Sequence, residues 1–191
     1  ITVTATVQDV NEAAPVFGDG DSASATPNEG QTAVGTYAAT DADGSASLTY
    51  SIVASGTDAT SVDHDLFSIA SDTGVLTFAS APDFETPGCG AGNDANVCVV
   101  VIKVSDGVAG SDDDTITVTA TVQDLNEAAP VFGDGDSATA TPNEGQTAVG
   151  TYAATDADGS ASLTYSIVNS GDDPTSVDHD LFSIASDTGV L

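Results

Sequence analysis

Carboxylate and amide side chains recur along the chain in short groups at fixed spacing. One complete period carries them as NEG, DADG, PDFE, VSDG and DLNE, most at the end of an apolar run or in a Gly-rich segment. Ca²⁺ takes about 6–8 oxygen ligands and mixes carboxylates with amide and backbone carbonyl oxygens. The patterns D-x-D-G and D-x-N-E offer this mixture. These residue types therefore predict the binding of a hard divalent cation.

The charge balance points in the same direction. The 191 residues include 30 Asp and Glu against a single basic residue, Lys103, for a formal net charge of −29. Such a chain repels phosphate, which excludes nucleic acid and an anionic membrane surface as partners. Hydrophobic residues make up 40% of the sequence and recur in alternation, so the chain has enough apolar material to fold in spite of its charge.

The chain repeats itself at the length of a whole domain. Residues 116–191 align with residues 1–76 without a gap, and the differences are Val10/Leu125, Ser24/Thr139, Ala54/Asn169, Thr57/Asp172 and Ala59/Pro174. An internal repeat of this length indicates tandem domains rather than solenoid turns. We predict the last strand of a preceding domain at 1–8, a calcium-binding linker at 9–15, a complete domain at 16–123, a second calcium-binding linker at 124–130, and the first part of a further domain at 131–191.

Short alternating runs predict the strands that must position the acidic groups. ITVTATV at 116–122 places its apolar residues on one face and Thr on the other, while LTYSIV at 48–53 and LFSIA at 66–70 are shorter runs of the same kind. Gly, Asp, Ser and Pro separate these runs, which favours an all-β sandwich whose loops gather at two ends.

The most apolar run is VCVVVIKV at 97–104. We predict that Val100, Ile102 and Val104 point into the core. Val99, Val101 and Lys103 then point outward, with Lys103 solvated. Outward valines on a strand face of so acidic a chain suggest a packing surface, so we expect a loop or a neighbouring molecule to cover both. Two isolated, exposed valines are the alternative.

Two cysteines, Cys89 and Cys98, flank a short Gly-rich segment. This arrangement is typical of a local disulfide in a secreted protein. Two free thiols or a metal site are the alternatives. No apolar run is long enough for a membrane span, and no signal peptide is visible. We expect the chain to be a segment of a longer protein whose targeting signals lie elsewhere.

Five motifs appear together and in order: DxNExxPxF, DADG…YSI, FSIxSDTGVL, DFE and VSDG. They resemble the cadherin repeat, whose pattern includes DxNDNxPxF, DxD, FxIxxxTG, a D-x-E acid pair and A-x-D-x-G. The variant NEAAP is similar to bacterial cadherin-like repeats of large secreted or surface proteins. The resemblance covers essentially the whole chain. It implies an all-β fold of tandem Greek-key, seven-stranded β-sandwiches with immunoglobulin-like architecture.

The resemblance also implies Ca²⁺ at each junction between domains, with up to three ions per junction. The first junction would use Asp9, Asn11, Glu12, the carbonyls of Val10 and Ala13, and Asp41, Asp43 and Asp106. The second would use Glu29, Asp83, Glu85, Asp124, Asn126, Glu127, the carbonyls of Leu125 and Ala128, and Asp156 and Asp158.

The chain departs from the family pattern in three places. Ala13 and Ala128 stand where the family has a linker Asn that ligates through its carbonyl. The segment DADGSASL lacks the family's Asn after DxD, so a Gly or Ser carbonyl would replace it. Tryptophan is absent, so the strand-swap adhesion of classical animal cadherins has no anchor.

Single features suggest other functions. DADG lacks the third Asp, the Gly position and the flanking helices of an EF-hand. His64 and His179 have no G-x-S-x-G elbow to serve, which favours an exposed loop position over catalysis. Acid pairs also occur in glycosidases, but the motif order favours ligands. The Thr row at 115–121 resembles a flat ice-binding or polymer-binding array, although Thr is also a good strand former. We predict that the chain has no catalytic residues and is not an enzyme.

These observations lead to one main hypothesis. The chain would be a calcium-stiffened segment of a secreted bacterial surface adhesin or extracellular filament, with a structural or cell-adhesion role at the cell surface. Its partners would be calcium, neighbouring repeats of the same chain and identical chains in a filament. The alternative is a carbohydrate- or protein-binding accessory module of a secreted enzyme.

Overall fold

The structure is a computed structural model that describes residues 1–7, 10–44, 47–90, 95–107, 113–159 and 162–191. The chain divides into two compact units, Ile1–Leu125 and Asn126–Leu191. Within the described ranges the regular elements are strands and short 3-10 helices, without an α-helix. The predicted all-β class is confirmed. None of the described segments forms a helix that could cross a bilayer.

The first unit contains most of the strands. They are β1 (Val16–Phe17), β2 (Ser22–Ala25), β3 (Ala33–Thr36), β4 (Ala39–Thr40), β5 (Thr49–Val53), β6 (Phe67–Ile69), β7 (Val75–Phe78), β8 (Val97–Ser105) and β9 (Asp114–Thr121). A 3-10 helix, His64–Leu66, precedes β6. The runs at 48–53, 66–70 and 97–104 therefore fall on β5, β6 and β8, with Leu66 in the helix rather than the strand.

Seven of these strands form the two layers of a sandwich. One sheet has the order β2-β9-β8-β5 and the other has the order β3-β7-β6, while β1 and β4 form a separate pair. β2 runs parallel to β9, and the other neighbours are antiparallel. This is the seven-stranded β-sandwich that the resemblance implies.

The core lies between the two sheets. β8 and β9 contribute residues that are fully excluded from solvent, and β6 and β7 contribute Phe67, Leu76 and Phe78 from the opposite layer. The predicted inward set on β8, Val100, Ile102 and Val104, is 0% exposed. On β9 the apolar face of the run at 116–122 is also buried. The alternation of residue types therefore predicted which face of each long strand packs inward.

The outward face of β8 is covered in part by the chain itself. Val101 is 2% exposed although it lies outside the core cluster, and Val99 is partly buried. The segment at 61–63 runs beside this part of β8. The Val101 N–H donates to Ser61 Oγ at 3.0 Å, and the Asp63 N–H donates to the Val99 carbonyl at 3.1 Å. A loop of the same domain thus covers Val101, as expected, without a neighbouring molecule.

Lys103 also has a partner on this face. Its Nζ lies 2.7 Å from Asp113 Oδ2. The hydrogen bond from Lys103 holds the pKa of the Asp113 carboxyl below its ordinary value. Lys103 is therefore half exposed and paired rather than simply solvated.

In its described residues, 126–159 and 162–191, the second unit forms fewer strands than the matching sequence forms in the first unit. It contains β10 (Val131–Phe132), β11 (Ala154–Thr155) and a 3-10 helix, His179–Leu181. Phe132 is 49% exposed, whereas its counterpart Phe17 is 3% exposed. Its sequence has no counterpart of β8 and β9, the strands that supply one layer of the core in the first unit. Residues 1–7 likewise form no strand and are exposed.

Candidate metal centre

The predicted ligands of the first unit fall into two groups, one near Asp106 and one near Asp124, at opposite ends of its larger sheet. Asp106 follows the end of β8, and Asp124 comes three residues after the end of β9. β8 and β9 are antiparallel, so these two residues leave the sheet at opposite ends. β8 is nine residues long, which corresponds to about 30 Å. The two groups are therefore separate sites.

The N-terminal cluster comprises Asn11, Glu12, Ala13, Asp41, Asp43 and Asp106. Its centre is Asp43, whose Oδ2 accepts the N–H groups of Glu12 at 2.8 Å and Ala13 at 2.7 Å. The Asp43 N–H donates to Asp41 Oδ1 at 2.9 Å. Asn11 Nδ2 donates to Asp106 Oδ2 at 3.1 Å. The linker, the turn after β4 and the end of β8 are thus brought together.

Two oxygens of the N-terminal cluster are buried without a hydrogen-bond partner. They are Asn11 Oδ1 and Asp41 Oδ2. Burying a polar oxygen without a partner costs free energy, so such atoms are rare in folded proteins. Both atoms belong to the ligand types that Ca²⁺ prefers. The donor set of this cluster therefore fits a hard cation.

The C-terminal cluster comprises Glu29, Asp83, Glu85, Asp124 and Leu125. Glu29 is 1% exposed, and its Oε2 and Oε1 accept the N–H groups of Phe84 and Leu125, each at 2.7 Å. Glu29 thereby joins the loop after β7 to the segment after β9. Asp83 is exposed, and its Oδ1 accepts the Thr86 N–H at 2.8 Å. Asp124 Oδ1 is buried without a partner.

Three carboxylates of the C-terminal cluster converge. Glu29, Asp83 and Glu85 each place an oxygen within 4.8 Å of the others. Like charges at that separation repel by about 1–4 kcal/mol per pair, depending on how far water screens them. A divalent cation among them would reverse the sign of this interaction. The residues present therefore fit a metal at this end of the domain as well.

The second unit repeats the geometry of the N-terminal cluster. Asp158 Oδ2 accepts the N–H groups of Glu127 at 2.9 Å and Ala128 at 2.8 Å. The Asp158 N–H donates to Asp156 Oδ1 at 3.1 Å. Asp158 is 7% exposed. Because the same contacts form in a unit without counterparts of β8 and β9, the arrangement of the linker and the DADG turn does not depend on those two strands.

The remaining predicted ligands are less enclosed. Val10 and Asn126 are exposed, and Leu125 is 39% exposed. The Glu12 and Glu127 side chains are exposed, while their backbone N–H groups take part in the contacts described above. Asp9 lies outside the described residues. The predicted residues of the first unit otherwise fall into the two clusters.

The disulfide between Cys89 and Cys98 is present. Two buried polar residues that belong to none of the sequence motifs lie near it. Asp63 is 7% exposed and Ser61 is 0% exposed. Asp63 and Ser61 accept hydrogen bonds from backbone N–H groups, so their partners leave no side-chain signature in the sequence. The prediction that His64 and His179 lie on exposed loops is wrong, because both are partly buried at the start of the 3-10 helices.

Comparison with known proteins assigns the fold. No protein-family model matches the sequence, and no curated protein does. The protocadherin gammaB7 EC3-6 cis-dimer structure matches with a TM-score of 0.66 and 23% identity over 100% of this chain and 45% of that one. Human CDH23 EC21-23 matches with a TM-score of 0.56 and 21% identity over 97% of this chain and 56% of that one. Human Protocadherin-24 EC1-2 matches with a TM-score of 0.59 and 23% identity over 93% of this chain and 78% of that one.

These similarities establish the fold of the cadherin ectodomain repeat, and the resemblance drawn from the five motifs is confirmed at that level. The chain spans about half the length of the first two structures that it matches.

Proposed function

We propose that this chain is a calcium-stiffened segment of a tandem array of cadherin-like domains, in a secreted bacterial surface adhesin or extracellular filament. Its role is structural rather than enzymatic. Ca²⁺ would bind where one domain, the linker and the next domain meet. The two clusters of the first unit and the set around Asp158 are the residues that would hold it.

One observation carries the proposal. Asn11 Oδ1, Asp41 Oδ2 and Asp124 Oδ1 are buried without partners, and all three belong to residues that the cadherin motifs mark as ligands. Buried acceptors need donors or a cation. The chain has a single basic residue, and Lys103 pairs with Asp113. A bound cation is therefore the available source of positive charge for these oxygens.

The mechanical role follows from the position of the ligands. The residues from Asp124 to Ala128 connect the two units, whose boundary falls between Leu125 and Asn126. A cation held by carboxylates on both sides of such a connection would restrict its backbone. Without the cation, neighbouring carboxylates would repel, and the connection would bend freely. Calcium would thus convert a flexible string of domains into a rod.

Three further features support an extracellular array. The repeats differ at only five positions, as expected of recent duplication in a long tandem protein. The Cys89–Cys98 disulfide suits an oxidising compartment outside the cytoplasm. The acidic composition would keep such a protein soluble and would attract divalent cations.

Small-angle X-ray scattering tests the proposal. A chain in which residues 77–123 are repeated after Leu191 contains two complete copies of the domain. We expect a stiff, elongated particle with Ca²⁺ and a flexible pair of domains with excess chelator. Replacing Glu85 with Gln and Asp158 with Asn should reproduce the effect of the chelator at that junction.

The matched control replaces Asp19 and Asp134 with Asn. Both residues are exposed, so this pair of substitutions removes the same number of charges at positions outside the clusters. If chelation leaves the maximum dimension and the flexibility unchanged, the calcium junction is wrong, and the acidic residues serve solubility.

A further inference from the structure

A buried carboxylate outside both clusters joins the two sides of the disulfide loop. Asp63 is 7% exposed. Its Oδ1 accepts the Gly90 N–H at 2.9 Å, and its Oδ2 accepts the Val99 N–H at 2.8 Å. Each donor is the residue that follows a disulfide cysteine, Cys89 or Cys98. The disulfide and the carboxylate therefore bridge the same two segments side by side.

The buried Asp63 side chain does not cap the adjacent 3-10 helix. Asp63 precedes His64–Leu66 with φ −106° and ψ 21°, and its side chain makes no capping hydrogen bond. In the second unit Asp178 precedes His179–Leu181 with φ −104° and ψ 19°, although Asp178 is exposed. The helix thus forms in the same way with an exposed Asp. What distinguishes Asp63 is its contact with the disulfide loop.

This loop carries two residues of the C-terminal cluster. It connects β7, which ends at Phe78, with β8, which begins at Val97. No strand or helix falls within its described residues, 79–90 and 95–96. Asp83 and Glu85 lie in its first half and therefore depend on other contacts for their position.

The loop is held on both sides of Asp83 and Glu85. On one side Pro82 accepts the Gly30 N–H at 2.9 Å, and Glu29 holds the Phe84 N–H. The Asn96 side chain donates to the Phe84 carbonyl at 3.1 Å. On the other side stand the disulfide and Asp63. Glu85 is four residues from Cys89, so the disulfide and Asp63 are the fixed point that follows Glu85.

We propose that Asp63 and the Cys89–Cys98 disulfide form a clasp that positions Asp83 and Glu85 and so sets the calcium affinity of the C-terminal cluster. Asp63 is a positioning residue, since it reaches the cation only through the loop. A loop that is already ordered loses less conformational freedom when the cation binds. This inference rests on the proposed function, because it assumes that the cluster binds Ca²⁺.

Residue-resolved NMR titration of the 191-residue chain with Ca²⁺ tests the clasp. The amides of Phe84 and Gly107 report the two ends of the same domain, because Phe84 contacts Glu29 and Gly107 follows Asp106. Both amides lie outside the duplicated residues, so each gives a unique signal. The variants are Asp63→Asn and Cys89→Ala with Cys98→Ala. Asp65→Asn is the matched control, because Asp65 lies in the 3-10 helix that Asp63 precedes and its side chain is 90% exposed.

We expect Asp63→Asn and the double cysteine variant to weaken Ca²⁺ binding at Phe84 by about tenfold, as is usual when residues that support metal ligands are removed. Binding at Gly107 should be unchanged in both, and Asp65→Asn should match the wild type at both amides. A general loss of stability would not separate the two ends in this way. If the double cysteine variant does not fold, Asp63→Asn alone decides, because Asn keeps the shape of the side chain and one acceptor.

The possible failures are distinct. Wild-type calcium affinity at Phe84 in folded Asp63→Asn would overturn the clasp and leave the proposed function standing. Equal weakening at Phe84 and Gly107 would also overturn it, because the variant would then act on the whole domain. If Ca²⁺ shifts neither amide in the wild-type chain, the proposed function fails, and the clasp fails with it.

Discussion

Glu29 is almost completely buried and lies close to two other negatively charged side chains. It is 1% exposed, and its carboxylate lies within 4.8 Å of those of Asp83 and Glu85. Replacing Glu29 with Gln keeps the shape but sets an NH₂ group against one of the two backbone donors. We expect the free energy of unfolding in Ca²⁺ to fall by about 1–3 kcal/mol. In chelator the loss should be smaller, because the substitution also relieves repulsion.

Urea unfolding followed by circular dichroism, with Ca²⁺ and with chelator, measures both values. Glu144→Gln is the control, because Glu144 occupies the same place in the repeat but is exposed. An equal loss in Ca²⁺ and in chelator would mean that Glu29 acts only through its two hydrogen bonds and that no cation depends on it.

At the scale of the residue, sequence predicts side chains that act through their own chemistry. Asp41, Asp43 and Asp106 could be assigned to one cluster because short motifs mark each of them. Asp63 could not, because its partners are the backbone N–H groups of Gly90 and Val99, and every residue except Pro supplies such a group. Val101 is a similar case. The alternation of β8 places it outward, and its burial beside the segment at 61–63 follows from the tertiary path of the chain.

At the scale of the element, the repeat separates local from tertiary causes. The run ITVTATV forms most of β9 at 116–121, where it pairs with both β8 and β2, but forms no strand at 1–7. By contrast, the 3-10 helix and the DADG turn form in both copies. Turns follow from local residue types, whereas a strand requires partners. Sequence therefore predicted where strands can form, and the available partners decide which of them do.

The turn between β6 and β7 depends on Gly74. Gly74 has φ +68°, and a Cβ there would lie 2.4 Å from the Tyr37 carbonyl oxygen. Gly74→Ala therefore adds a backbone clash to the usual cost of a left-handed conformation. We expect it to lower the free energy of unfolding by about 3 kcal/mol or more, since strained backbone and overpacking each cost about 1–3 kcal/mol.

Gly20→Ala is the matched control for this prediction. Gly20 has φ +75°, but a Cβ there would meet nothing within 4 Å. Gly20→Ala should therefore lower the free energy of unfolding by only about 1 kcal/mol, the cost of placing a Cβ on left-handed backbone. Thermal and urea unfolding of the two variants would measure the difference. Equal destabilisation would show that the approach to Tyr37 is relieved by a small movement of the turn.

At the scale of the whole molecule, most of the acidic residues behind the net charge of −29 are Asp spread along the chain, whereas the few Glu residues gather in the predicted ligand sets. Of the five Glu residues, Glu12, Glu29, Glu85 and Glu127 lie in the predicted ligand sets, and Glu144 does not. The core of the first unit is complete without any of them, because the two sheets supply it. Calcium is therefore expected to govern the connection between the units rather than the fold of the domain.

A Glu-specific protease distinguishes these two roles in the intact chain. Glu127 follows the boundary between the units by two residues, and cleavage there yields fragments 1–127 and 128–191, which are easily separated by mass. With Ca²⁺ bound, the linker backbone should be held by its ligands, and cleavage at Glu127 should be slow. With chelator, the rate should rise by about tenfold or more, because the linker must open locally to enter the protease.

Glu144 is the internal control, because it is exposed and outside the ligand sets, so its cleavage should not depend on Ca²⁺. The far-ultraviolet circular dichroism should remain β-rich in both conditions. Equal rates at Glu127 with and without Ca²⁺ would indicate that the linker is not a calcium site, whereas loss of the β-rich spectrum in chelator would indicate that the cation supports the domain itself.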